Sequence, residues 1–347
     1  MKAPTSRATK IVTWLVLGLF AWGGVGFLGL FVPTPYHYTG IFLPFLLLYL
    51  LGSISSYYEN RSKNPKIYIA GKIDEIESKN EWPKLEKDLK EEFYRLEKAV
   101  QDVLGKKYLL PVHQGRAAEN IIALAYVKKG SLVPMNYHFT TAMAHITDKG
   151  GQIVELLYDE AYVINSDHPF KGNMNIEKLE EVIKRHGASN IPFIRMEAST
   201  NLIGGQPFSV QNLRDVRALA DKYGIRIVLD CSLLGENAFL VLKREEEFKK
   251  SDMKTVLHTM TSLADLCYFS ARKISSSRGG GMCTDRPEII KELEALVPLY
   301  EGFTTYGGIS IREIEAMAVG LYETLDETMI CQSPNFIKYL VDSLDAK

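Results

Sequence analysis

Three short stretches carry side chains whose types could do chemistry together: His113, Gln114, Gly115 and Arg116 in HQGR, Asp230 at the end of IRIVLD, and Lys273 in CYFSARKISSSRGGGMCT. A lysine that follows an apolar run and sits beside a second cation, Arg272, has its ammonium form disfavoured, the condition under which an amine adds to a carbonyl. A carboxylate at the end of a buried strand can hold a heteroaromatic ring nitrogen protonated. A glycine and an arginine opening a helix offer free backbone N–H groups and a positive charge to an anion. Each feature alone has a plainer reading: a helix cap, a tight turn, a solvated lysine. SSSRGGG lacks the G-x-x-x-x-G-K-[ST] spacing of a nucleotide phosphate loop.

The elements that must position these residues alternate. A helix is expected from Pro83, where Leu85, Leu89, Phe93, Leu96, Val100 and Val103 recur at three- and four-residue steps up to Gly105. KKYLLPV (106–112), GSLVPM, GQIVELL, IPFIRME, IRIVLD (225–230) and DLCYFSA (265–271) read as strands. Helical spacing follows in HQGRAAENIIALAYVKKG, in NIEKLEEVIKRHG, and after Ser209, whose hydroxyl can cap a helix closed by Gly224. Such alternation predicts an α/β fold with a mainly parallel sheet between helices, in which ligands gather at the strand C-termini. HQGR, Asp230 and Lys273 all fall there.

Amine, carboxylate and anion cradle are the three handles that pyridoxal phosphate requires. The motifs PVHQGRAAEN (111–120), NYHFTT (136–141), STNLIGGQPFS (199–209), VLDCSLLGENA (228–238), YFSARK (268–273), YEGFTTYGG (300–308) and EAMAVGL (315–321) follow in order. They resemble the aromatic amino acid β-eliminating lyases, the tyrosine phenol-lyase and tryptophanase family, within the large domain of fold-type-I pyridoxal-phosphate enzymes. The resemblance runs from about Phe93 to the end of the chain. It implies that Lys273 is the Schiff-base lysine and the base acting at the substrate Cα. Gln114, Gly115 and Arg116 would cradle the phosphate with Ser270 and Arg272 nearby, and the glycine run 279–281 would turn the chain back beneath the cofactor. Phe139 would stack on the ring, Asn201 would donate to its oxygen, and Asp230 would pair with its nitrogen. Phe303 and Tyr306 would reach the substrate side of a neighbouring subunit's site, so a homodimer is implied.

Departures from that family bear on function. Leu233 stands where the family has an arginine near the ring oxygen. Lys87 falls near the position of the tyrosine that protonates the leaving group. Arg278 and Leu85 replace a cation-binding Asn and Glu, so no metal is expected. The small domain that grips the substrate carboxylate would begin where this sequence stops, and a separately encoded partner could supply it. The expected function is a lyase cleaving at Cβ of an amino acid. The alternative is a non-catalytic or split-enzyme subunit that keeps the fold and scaffolds a partner.

The remaining composition narrows the setting. With 41 Lys and Arg against 42 Asp and Glu in 347 residues, no net field recruits nucleic acid. Cys231, Cys267, Cys283 and Cys331 show neither disulfide nor metal spacing. From Ile11 to Tyr58 there is no charged residue, and the runs 11–32 and 39–58 reach the roughly 20 residues a spanning helix needs. Lys2, Arg7 and Lys10 before them and Arg61, Lys63 and Lys66 after them predict a multi-pass membrane protein with both ends cytoplasmic. The expected organisation is a membrane hairpin over 1–58, a linker and entry helix over 59–92, the cofactor-binding large domain over 93–330, and the start of a small domain over 331–347.

Overall fold

The computed structural model describes residues 82–345. Its compact unit, from Asp88 onward, is built on one seven-stranded sheet of order β1-β7-β6-β5-β4-β2-β3. The strands are β1 (Tyr108–Val112), β2 (Leu132–Met135), β3 (Gln152–Glu155), β4 (Phe193–Glu197), β5 (Arg226–Asp230), β6 (Leu266–Ser270) and β7 (Gly280–Thr284). All neighbouring pairs are parallel except those made by β7, which runs antiparallel to both β1 and β6.

Period-two alternation explains the layers. Along β6, Leu266 and Tyr268 join one core cluster, while Cys267 and Phe269 join the other on the opposite face. Strand β5 repeats this with Val228 against Ile227 and Leu229. A strand apolar on both faces requires cover on both. On one side lies the helix Gly115–Tyr126, burying Ile121 and Ile122, and on the other the helix Val210–Tyr223, burying Leu213 and Val216. The latter is capped as its sequence predicts: the Ser209 side chain accepts from Asn212 N, and Gly224 takes the left-handed conformation at φ 67°. The entry helix spans Trp82–Leu104, and Gly105 at φ 63° ends it.

The chain reverses at the glycine run 279–281: Gly279, at φ 108°, precedes β7, and Gly280 and Gly281 open that strand antiparallel to β6. Its glycines serve close packing: a Cβ at Gly280 would lie 2.6 Å from Phe269 O, and one at Gly281 would lie 2.8 Å from Leu109 Cδ1. One expectation is corrected here, and it concerns location. The expected spans 11–32 and 39–58 lie outside the described residues, and among the described residues no helix is long and apolar enough to cross a membrane. The expected multi-pass membrane location thus finds no support among the described helices.

Candidate active site

Parallel strands deliver their C-terminal residues to one edge of the sheet, and the sequence-predicted residues meet at that edge. Register makes a row: Glu197 on β4 is the Cα partner of Asp230 on β5, which is the partner of Tyr268 on β6. Beyond the row, the Ser232 hydroxyl accepts from Ser270 N at 3.0 Å, and Ser232 N donates to Asp230 Oδ1 at 2.9 Å. The helix Gly115–Tyr126 starts directly against this corner. A Cβ on Gly115 would stand 2.8 Å from Ser270 Cβ, which explains the glycine there.

That helix begins at Gln114, whose side chain makes no cap; Ala117 N donates to Gln114 O, and the dipole of the helix start favours an anion there. Gln114 is half-buried, and Arg116 and Arg272 are exposed at the same edge. Gln114 Nε2 lies 2.7 Å from His113 Nε2, and the other His113 ring nitrogen, Nδ1, pairs with the buried Glu301. Glu301 also accepts from His113 N at 3.0 Å, tying the loop of Phe303 and Tyr306 to the end of β1. Gly307, at φ 54°, secures the same loop, because a Cβ there would fall 2.0 Å from Pro111 O. Phe303 is exposed and meets Tyr306 edge-on, with ring centroids 5.6 Å apart.

Lys273 leaves β6 in a single helical turn, Ala271–Ile274, and its Nζ stands 4.7 Å from the centre of the half-buried Phe139 ring. The apolar enclosure expected for Lys273 is not present: the side chain is exposed, since the turn carries it off the strand end and out of the core. Glu236 lies near enough for the Lys273 charge to act on it, yet burial dominates and holds its carboxyl above the usual range. Asn201 is exposed on a loop fastened by Asn201 N donating to Glu197 Oε1 at 3.0 Å. In that loop Ser199 has φ 48° and a buried hydroxyl with no partner among the described residues. Leu233 is half-buried at the start of the helix Leu234–Arg244. Arg278 is exposed beside Glu313 at 3.8 Å.

The residues that sequence reasoning missed form the floor of this edge. Arg195 is fully buried and donates to Asp230 Oδ2 at 2.8 Å, Glu197 Oε2 at 2.9 Å, Tyr268 Oη at 3.0 Å and Tyr137 O at 3.3 Å. Glu119, from the covering helix, completes the group at 3.1 Å from Tyr268 Oη and 4.0 Å from Arg195. Burial opposes the Arg195 charge, but Tyr268, Glu197, Asp230 and Glu119 outweigh it and raise its pKa. Burial raises Glu119 to about 7, against the lowering effect of Arg195. A readable signal existed: Arg195 and Glu197, two apart in the apolar strand IPFIRME, must share a face.

This edge offers a free amine, a buried carboxylate and an uncapped helix start, the layout of an enzyme that handles an amino group and an anionic cofactor. The family model for beta-eliminating lyases matches residues 87–342. A tyrosine phenol-lyase from Symbiobacterium sp. (strain SC-1) is 39% identical over 253 residues, covering 73% of this chain and 55% of that protein. A tryptophanase from Salinibacter ruber is 35% identical over 253 residues, covering 73% and 54%. A solved serine palmitoyltransferase from Sphingomonas wittichii overlays at a TM-score of 0.49 and 13% identity, covering 68% of this chain and 52% of that one. The chain belongs to the beta-eliminating lyase family and spans about half the length of the curated relatives it matches.

Proposed function

We propose that the chain binds pyridoxal 5'-phosphate through Lys273 and acts as a lyase that cleaves at Cβ of an amino acid. The observation that carries this reading is the Lys273 amine poised over Phe139 at the edge where Asp230 and an uncapped helix start converge. The residues fit the cofactor. Gly115 lets the helix start press against Ser270, and the helix's first N–H groups, with Gln114, Arg116, Ser270 and Arg272, would supply donors and charge to a phosphate. Asp230 Oδ1 accepts only one bond among the described residues, from Ser232 N, leaving a lone pair for a ring N–H. Phe139 offers an aromatic face, and Asn201 a side-chain amide for the ring oxygen.

The cofactor, when bound, supplies an electron sink that lowers the cost of breaking bonds at the amino acid's Cα and Cβ. Lys273 would take the proton from Cα, and the electron pair left there would expel the substituent on Cβ, which draws its own proton from another donor. Asp230 holds the ring nitrogen's proton, and the Arg195 bond keeps that carboxylate oriented. We assign residues 93–330 as the cofactor-binding domain. Phe303 and Tyr306 are assigned to the substrate side of a second copy's site in a homodimer, because their loop is exposed yet firmly anchored by Glu301 and Gly307.

Leu233 supports a second reading, a subunit that keeps the fold and completes its site with a separately encoded partner, since no guanidinium stands at that position for the ring oxygen. The test begins with purified chain and pyridoxal phosphate. Borohydride reduction should fix the cofactor to the peptide containing Lys273, and Lys273→Ala should abolish both the visible absorbance and the attachment. Absence of attachment in the unmodified chain refutes the first reading. Attachment without release of keto acid from a panel of amino acids favours the second.

A further inference from the structure

The hydroxyl of Tyr268 stands between two carboxylates. It lies 2.8 Å from Asp230 Oδ2 and 3.1 Å from Glu119 Oε1, and it accepts from Arg195 Nε at 3.0 Å. A phenol has one proton, so it can donate to only one of them. If both carboxylates are ionised, one faces the phenol oxygen with no hydrogen between, inside a site where Tyr268, Glu119 and Asp230 are all buried. Such a contact is costly. The arrangement that satisfies every atom has Glu119 protonated. Its O–H then donates to Tyr268 Oη, and the Tyr268 O–H turns to Asp230. The other Glu119 oxygen accepts from the Thr141 hydroxyl.

We infer that Glu119 is a positioning residue that stores a proton and, through Tyr268, sets how strongly Asp230 is hydrogen-bonded beneath the cofactor ring. When Glu119 loses its proton, the Tyr268 O–H swings to Glu119. Asp230 then keeps only Arg195 and Ser232 N among the described residues, and has one more lone pair open to a ring N–H. One proton leaves to solvent and no covalent bond to carbon changes. A cavity of about 20 Å³ lined by Glu119, Arg195 and Tyr268, with Ile122, Ala142 and Val228 among its apolar walls, is large enough for one water to carry that proton.

The charged and titratable groups around Glu119 come from every neighbouring element: Arg195 and Glu197 from β4, Asp230 from β5 and Tyr268 from β6. His145, on the same helix as Thr141, lies beside Arg116 at the start of Glu119's own helix, and burial holds its pKa low. The pKa of about 7 that burial gives Glu119 puts the exchange within the physiological range.

The relay does not need a bound cofactor, but its effect on the ring rests on the cofactor reading above, so the experiment has two arms. In the first, carbon-13 NMR follows labelled Glu and Asp carboxyls of the full chain without cofactor, with signals assigned from Glu119→Gln and Asp230→Asn. Glu119 should titrate near 7. The Asp230 signal should step at the same pH and lose that step in both Glu119→Gln and Tyr268→Phe. In Tyr268→Phe the Glu119 midpoint should rise by on the order of one pH unit, since a donor to the ionised form is lost. Titration of Glu119 in the ordinary carboxylate range, or an Asp230 signal that ignores Glu119, overturns the inference. In the second arm, absorbance of bound pyridoxal phosphate is read against pH. A step near neutrality that vanishes in Glu119→Gln supports the inference; a profile unchanged by that substitution overturns it. If the NMR coupling is present and no cofactor binds, the relay stands and the cofactor reading fails.

Discussion

Replacing Arg195 by Leu removes the only cation that the buried carboxylates Glu119, Glu197 and Asp230 share among the described residues. The side chain is 2% exposed, so water cannot take the place of the four hydrogen bonds it makes. Deleting one partner of a buried ion pair leaves an uncompensated charge and typically costs about 3–5 kcal/mol. Three carboxylates share this cation, which puts Arg195→Leu at the upper end of that range. A domain's whole stability is about 5–15 kcal/mol, so the variant should be marginally folded at pH 8. Urea unfolding should show a midpoint lower by on the order of 1 M or more at unchanged slope. The loss should shrink toward pH 5, where the stranded carboxylates can take up protons and shed their repulsion. A change below about 1 kcal/mol at pH 8, the range of an exposed pair, would refute the claim that this guanidinium holds the floor of the site together.

Two further outcomes can be checked directly. Burial lifts Glu119 from the usual 4.5 to about 7, so the folded chain holds a proton that the unfolded chain releases between those values. Stability from this group is therefore full below about pH 4.5 and falls as pH rises to about 7, by about 3 kcal/mol at 1.36 kcal/mol per unit. Glu119→Gln should flatten that part of the stability profile in urea titrations at stepped pH. Gly307→Ala should destabilise the chain by about 2 kcal/mol or more, because the added Cβ meets Pro111 O at 2.0 Å with φ at 54°. Thermal unfolding and proteolysis of the Phe303 and Tyr306 loop would report it.

Much of the fold could be read from local pattern. The apolar runs of β1, β4, β5 and β6, the Ser209 cap and the Gly224 stop are local signals, and local geometry obeyed them. Strand β7 escaped because its two opening glycines, Gly280 and Gly281, carry no side-chain period; their meaning lies in neighbours away in the chain, Leu109 and Phe269. The lysine, the aspartate and the HQGR turn were recognisable as strand-end residues. The cluster on Arg195 was not, because it exists only when register brings Glu197, Asp230 and Tyr268 into one row and a helix lays Glu119 across them. Nor does an apolar run before Lys273 reveal that one helical turn carries its amine clear of the core.

Among the described residues, strand β1 finds its only hydrogen-bonded neighbour in β7, with Tyr108 opposite Thr284, 176 residues away and hence a large loop to close. During synthesis, the HQGR corner cannot settle against the sheet until the glycine strand has left the ribosome. Acquisition of any ligand at that corner must therefore be a late event, and a ribosome-bound chain halted before residue 280 should remain unable to capture it.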